Sequence, residues 1–134
     1  MMNISFFLKP KAEVSYLTED CLVRQALYDM MQSGFTAVPV IDPKGRYIGT
    51  ITEGDFLRLL LRCAPDQLDQ MTAGQVPRRV RHRSVGIDAR MEDLIELVTA
   101  QNFVPVTDGR GMFCGIVTRR DVIQWLRDSC KNSK

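Results

Sequence analysis

Two short stretches place a hydroxyl and a carboxylate three residues apart, Thr52-Glu53-Gly54-Asp55 and Thr118-Arg119-Arg120-Asp121. Thr followed at i+3 by an acid is the chemistry of a helix start. The two side chains can satisfy free backbone N–H groups of the first turn, which stabilises a helix by about 1 kcal/mol. The same pair can serve a ligand. A helix N-terminus presents free N–H groups and partial positive charge, which suits phosphate. An Asp carboxylate accepts hydrogen bonds from ribose hydroxyls, as an acid does in dinucleotide-binding folds. The residues between Thr and Asp differ in the two stretches. Arg119 and Arg120 oppose the helix dipole unless they are solvated or face an anion, whereas Glu53 offers nothing to a phosphate. The two stretches are therefore expected to bind differently, the second favouring the more highly charged ligand.

A second basic feature is Pro77-Arg78-Arg79-Val80-Arg81-His82-Arg83. If it is extended, Arg79, Arg81 and Arg83 share a face. It reads as a solvated edge, as a phosphate-contacting arm through Arg78 and Arg79, or as a surface for nucleic acid or another acidic partner. Lys11, after Pro10, is the counterpart of Arg78 and carries the same alternatives. Thirteen of the 18 basic residues are Arg, and a guanidinium fork suits phosphate and carboxylate. The net charge of +2 demands no nucleic-acid partner. The cysteines, Cys21, Cys63, Cys114 and Cys130, form no C-x-x-C pair. They read as reduced thiols of a cytoplasmic protein, without a metal site. His82 is the sole histidine and reads as a surface residue. With no nucleophile–base signature, metal spacing or Gly-rich phosphate loop, no catalytic residue is assigned and no enzyme is expected.

Behind these residues the chain is written twice. Val38–Leu57 aligns with Val104–Ile123 without a gap at an offset of 66, and eight of the twenty positions are identical. Upstream, Val23, Ala26, Leu27 and Met30 match Met91, Leu94, Ile95 and Val98, and Pro10-Lys11 echoes Pro77-Arg78. Helical periodicity predicts a helix over about 20–33, ended by Gly34. A strand follows at Ala37–Ile41, then a turn at Asp42–Gly45 and a strand at Tyr47–Ile51. Thr52 begins a second helix, with Phe56, Leu57, Leu60 and Leu61 expected on its buried face. The second copy predicts a helix near Ala89–Ala100, strands at Phe103–Val106 and Phe113–Val117, and a helix from Arg119 to about Ser129. The Met residues of the first helix are read as core, and Trp125 as a packing or dimer-interface residue. Gly49 and Gly115, inside strands, mark a close approach or a bulge. The division is 1–64 for a first domain with its N-terminal extended segment, 65–76 for a linker and 77–134 for a second domain. The chain has 134 residues, 45% hydrophobic and 25% charged. It is an ordinary globular composition, with no apolar run long enough for a membrane span and no visible signal peptide.

The repeated pattern, Val38-Pro39-Val40, Asp42, Gly45, Gly49, Thr52 and Asp55, then Val104-Pro105-Val106, Asp108, Gly111, Gly115, Thr118 and Asp121, resembles the cystathionine-β-synthase (CBS) domain. Two in tandem resemble the CBS pair, or Bateman module, and in particular the small stand-alone bacterial CBS proteins, some similar to cyclic di-AMP receptors. The resemblance implies an α/β fold of two pseudo-symmetric β-α-β-β-α units packed through their small sheets. It implies a non-catalytic regulatory module that binds an adenine nucleotide (AMP, ADP, ATP or cyclic di-AMP) in the cleft between its domains and signals to a protein partner. Thr52 and Asp55, and Thr118 and Asp121, are implied to hold ribose and phosphate, with Arg119 and Arg120 beside the second. Ala37, Val38, Pro39 and Ile51 would wall one base slot, and Phe103, Val104, Pro105 and Val117 the other. A homodimer is implied, with no further cofactor. The alternative is an interaction or nucleic-acid-binding protein that uses Arg78–Arg83 and leaves the cleft vestigial.

Overall fold

The computed structural model describes residues 3–132, so the extreme ends of the two expected domains, 1–2 and 133–134, lie outside the described residues. In chain order the elements are β1 (Lys9–Pro10), β2 (Leu17–Thr18), α1 (Val23–Ser33), β3 (Ala37–Ile41), β4 (Tyr47–Thr52), α2 (Glu53–Arg62), α3 (Pro65–Leu68), β5 (Val85–Gly86), α4 (Met91–Ala100), β6 (Phe103–Thr107), β7 (Phe113–Thr118) and α5 (Arg119–Asn132). The fold is mixed α/β, with two small sheets and five helices among the described residues. The order β, α, β, β, α occurs in both copies of the repeat.

The chain forms two compact units, Ser15–Arg81 and Met1–Val14 with His82–Lys134. These units do not follow chain order, for a physical reason. In the N-terminal segment, β1 pairs antiparallel with β7, Lys9 opposite Ile116 and Pro10 opposite Gly115. Ile4 and Phe7 are buried in one core with Leu94, Val104, Val106 and Val117. Leu68, Ala73 and Val76, beyond α2, are buried in the other core with Phe56 and Leu59. Apolar side chains go where surface can be removed from water, whichever repeat is adjacent in the chain.

In the Ser15–Arg81 unit the sheet order is β2-β3-β4, with β2 parallel and β4 antiparallel to β3. Pro39 lies within the central strand, where a ring without an N–H would break a ladder. The short β2 pairs only Val40 and Ile41, so no ladder bond is needed on that side of Pro39. Asp42 closes the β3–β4 turn by accepting from the Lys44 and Arg46 N–H groups, each at 2.9 Å, and from Arg46 Nε at 2.8 Å. These bonds, led by that from the Arg46 N–H, hold its carboxyl below the usual range. In the other unit the order is β1-β7-β6-β5, and Asp108 repeats the turn by accepting from the Arg110 N–H at 2.8 Å and the Met112 N–H at 3.0 Å.

Each hairpin shifts register at the same place, between Val40 and Ile41 and between Val106 and Thr107. The glycine opposite the shift is also approached closely. A Cβ on Gly49 would overlap the Arg78 guanidinium, and one on Gly115 would overlap the Lys9 carbonyl oxygen. The bulge and the close approach thus coincide. Gly34 ends α1 in the left-handed conformation, as its position predicts.

Two helix faces differ from expectation. In α2 the buried residues are Asp55, Phe56 and Leu59, while Leu57, Leu60 and Leu61 are exposed. The capping contact turns Asp55 inward, and the i+4 position Leu59 follows it, so the rest of the apolar run faces outward. In α1, Met30 is core but Met31 is exposed. Trp125 packs against the second core, edge-on to Phe7 with ring centroids 5.7 Å apart.

Candidate functional site

The two Thr-x-x-Asp stretches fold locally as helix starts, but only the first completes the reciprocal cap. The Thr52 hydroxyl accepts from the Asp55 N–H at 3.2 Å, and the Asp55 carboxylate accepts from the Thr52 N–H at 3.0 Å. Asp55 is 2% exposed. Its second oxygen accepts from the Arg79 N–H at 3.1 Å and from the Arg58 guanidinium. Burial pushes its pKa up, but the bonds from the Thr52 and Arg79 backbone, with Thr52 and Arg58 side-chain contacts, outweigh burial and hold it below the ordinary value. In the second copy the Thr118 hydroxyl accepts from the Asp121 N–H at 3.2 Å. The Asp121 carboxylate is 38% exposed and lies 3.8 Å from Lys9 Nζ. One carboxylate is thus spent on the fold, and the other is accessible with a lysine beside it.

A hollow of about 440 Å³ opens beside Asp55, lined by Arg58, Arg62, Arg78 and Arg79 together with Leu59, Cys63, Met71 and Pro77. The sequence pattern points to Asp55, Arg78 and Arg79. Arg58 and Arg62 are additions, and their signal was helical spacing: they follow Asp55 by three and seven residues, on one face of α2. Arg78 also reaches the Ile48 carbonyl at 3.4 Å. A second hollow, about 410 Å³, lies at the start of α5 and is lined by Asn102, Thr118, Arg119, Arg120, Ile123, Gln124 and Arg127. Thr118, Arg119 and Arg120 were readable from sequence; Asn102, Gln124 and Arg127 carried no motif.

Arg119 is committed elsewhere. Its Nε–H donates to the Val98 carbonyl at 2.6 Å and a terminal nitrogen to the Thr99 carbonyl at 3.4 Å. It thereby satisfies the end of α4, where carbonyls lack helical partners and a cation is favoured. Arg120 is exposed. Both hollows are basic, the first through Arg58, Arg62, Arg78 and Arg79 beside Asp55, the second through Arg119, Arg120 and Arg127.

Val38 and Ile51 are in one core and Val104 and Val117 in the other. Pro39 and Pro105 are buried, while Ala37 and Phe103 are half-buried. None of these eight strand residues lines either hollow. Lys11 is half-buried and lines neither. Residues 77–84 form no strand, so strand geometry does not place Arg79, Arg81 and Arg83 on one face. Gln101 holds the Arg83 backbone by an Arg83 N–H bond at 2.7 Å and a return bond to the Arg83 carbonyl at 3.0 Å. His82 is half-buried, with Nδ1 unpartnered among the described residues. No group of three or more His, Cys, Asp or Glu side chains among the described residues could hold a metal, and no described helix is long and apolar enough to cross a membrane.

Comparisons with known proteins agree with the repeat. A curated relative, the A-adding tRNA nucleotidyltransferase of Aquifex aeolicus (strain VF5), is 26% identical over 114 residues, and the chain spans 13% of that protein's length. Among solved structures, CbpB in complex with cyclic di-AMP superposes with a TM-score of 0.88 at 18% identity, covering 98% of this chain and 88% of that one. CBSX2 in complex with AMP superposes at 0.77 and 22% identity, covering 100% of both chains. These likenesses show a shared fold. The family model described as CBS domain matches twice, over residues 9–62 and 74–128, and with both copies of the Val-Pro-Val to Thr-x-x-Asp pattern inside those matches, the chain belongs to the CBS domain family as a tandem pair.

Proposed function

We propose that this chain is a non-catalytic regulatory module that binds an adenine-containing nucleotide and passes its occupancy to a protein partner. The observation that carries the reading is the accessible Asp121 carboxylate at a helix start, beside Lys9 and one residue from the exposed Arg120. An acceptor for ribose hydroxyls and cations for phosphate are what a nucleotide requires. The fold supports the reading, since similar structures hold cyclic di-AMP and AMP.

Thr118 and Asp121 are assigned to ribose and phosphate, with Arg120 on phosphate. Thr52 and Asp55 build the start of α2, and the hollow beside them offers Arg78 and Arg79. Phe103 and Ala37, half-buried at the starts of β6 and β3, are the strand residues open enough to meet a base. Signalling follows if the nucleotide binds one conformation better than another and the partner reads the difference. The test is a thermal-shift panel of AMP, ADP, ATP, cyclic di-AMP, S-adenosylmethionine and guanosine controls. A bound ligand at 100 times its Kd adds about 2.7 kcal/mol, so at least one adenine ligand raises Tm clearly. A panel flat for every adenine compound overturns the reading.

A further inference from the structure

Each repeat carries an exposed apolar stripe on its last long helix, and the two stripes end in opposite charges. On α2, Glu53, Leu57, Leu60 and Leu61 fall at i, i+4, i+7 and i+8, which is one helix face. The three leucines are exposed, Leu61 by 79%. Beside them a shallow hollow of about 200 Å³ is lined by Leu27, Met30 and Met31 of α1 and by Phe56, and Glu53 is its one charged residue. On α5 the matching positions hold Arg119, Ile123, Leu126 and Arg127. Ile123 and Leu126 are again exposed, and Arg119, Ile123 and Arg127 line one hollow. The apolar middle is thus kept, while an acid becomes a base at one end and a leucine becomes a base at the other. Neither Glu53 nor Arg127 has an oppositely charged partner among the described residues. Arg119 donates to neutral carbonyls, so its charge is also uncompensated.

We propose that the chain pairs with a second copy through unlike repeats, the α2 face of one copy against the α5 face of the other. The exposed Leu and Ile side chains supply the surface removed from water. The charges set which face meets which. Pairing of like faces brings Glu53 towards the other copy's Glu53 and gathers four arginines at the α5 contact, with no acid of the stripe to offset them. Pairing of unlike faces sets Glu53 of one stripe against Arg119 and Arg127 of the other. Each copy offers both faces. The pairing requires no bound nucleotide, so its failure leaves the function proposed above untouched.

The test is sedimentation velocity of the full chain at low salt, wild type beside Glu53→Arg, Arg127→Glu and the double substitution. All the changed side chains are exposed, and a melting curve checks that each variant folds. The wild type is expected to dimerise, and each single reversal to weaken the dimer about tenfold or more. The double reversal exchanges the signs of both ends and is expected to regain affinity over either single variant. Like-with-like pairing gives the opposite pattern, because reversing one residue then replaces one like-charge contact by another. Single variants that dimerise as tightly as the wild type therefore overturn the proposal. So does a double variant no tighter than the singles, and so does a wild type that stays monomeric at micromolar concentration.

Discussion

Asp55 and Asp121 occupy the same place in the repeat and have different surroundings. Asp55 is buried and accepts from two backbone N–H groups and a guanidinium. Asp55→Asn is expected to destabilise the chain by about 1–3 kcal/mol at neutral pH, because the cap and charge-assisted bonds weaken together. Its folded-state pKa is depressed, so its stabilisation is present above the unfolded value and is lost as pH falls through the folded one. Below about pH 4, wild type and Asp55→Asn are therefore expected to converge in urea titrations. Asp121 is largely outside such a network, so Asp121→Asn leaves stability within about 0.5 kcal/mol and weakens nucleotide binding in the thermal-shift panel. Arg119 and Arg120 separate in the same way. Arg119→Ala exposes unpaired carbonyls at the end of α4 and costs about 1–2 kcal/mol, measured by denaturant midpoint. Arg120→Ala is neutral for stability and weakens AMP more than adenosine.

At the scale of the element, the hairpins show how a repeat can keep a motif and change its use. Both glycines sit opposite a register shift and both are crowded, but by different groups. Beside Gly49 stands the far end of a flexible side chain, Arg78, which can swing away. Beside Gly115 stands the Lys9 backbone of β1, and Gly115 itself has φ +151°, where L side chains are strained. Gly115→Ala must part β1 from β7, so a loss of about 1–3 kcal/mol is expected. Gly49→Ala is expected to cost under about 1 kcal/mol and to unseat Arg78 from its hollow. Paired thermal melts check the contrast, and equal losses would show that β1 contributes nothing to its sheet. The α2 face is also an element-scale outcome. Once Thr52 and Asp55 cap each other, helical phase turns Phe56 and Leu59 inward and leaves Leu57, Leu60 and Leu61 outside.

At the scale of the molecule, exposed apolar residues recur at matching positions of the two repeats. Leu57 and Leu60 on α2 correspond to Ile123 and Leu126 on α5, and all four are exposed. On each helix, exposed apolar residues are of the kind that marks interaction sites where they are contiguous, and the homodimer that the sequence implies is the assignment to test. Light scattering is expected to give a dimer that Leu57→Glu/Leu60→Glu dissociates. A monomeric wild type across micromolar concentrations would refute the assignment.

The repeat, its element order and the family were legible in the sequence, because strand alternation, turn residues and the Thr-x-x-Asp cap are local signals written twice. The strands Ala37–Ile41 and Phe103–Thr107, the Asp42 and Asp108 turns and the helix starts follow from neighbours within a few residues. What only the tertiary structure decided lies farther apart in the chain. Burial drew Ile4, Phe7 and β1 onto the second repeat's sheet. An Arg79 N–H from beyond α3 became a further donor to the buried Asp55 carboxylate. The carbonyls ending α4 claimed Arg119, and Arg78 and Arg79 joined Arg58 and Arg62 at one hollow. Motif spacing states which groups can meet a ligand. Which of them remain unspent depends on long-range hydrogen bonds and on which surfaces leave water, and these exist only once the chain has folded.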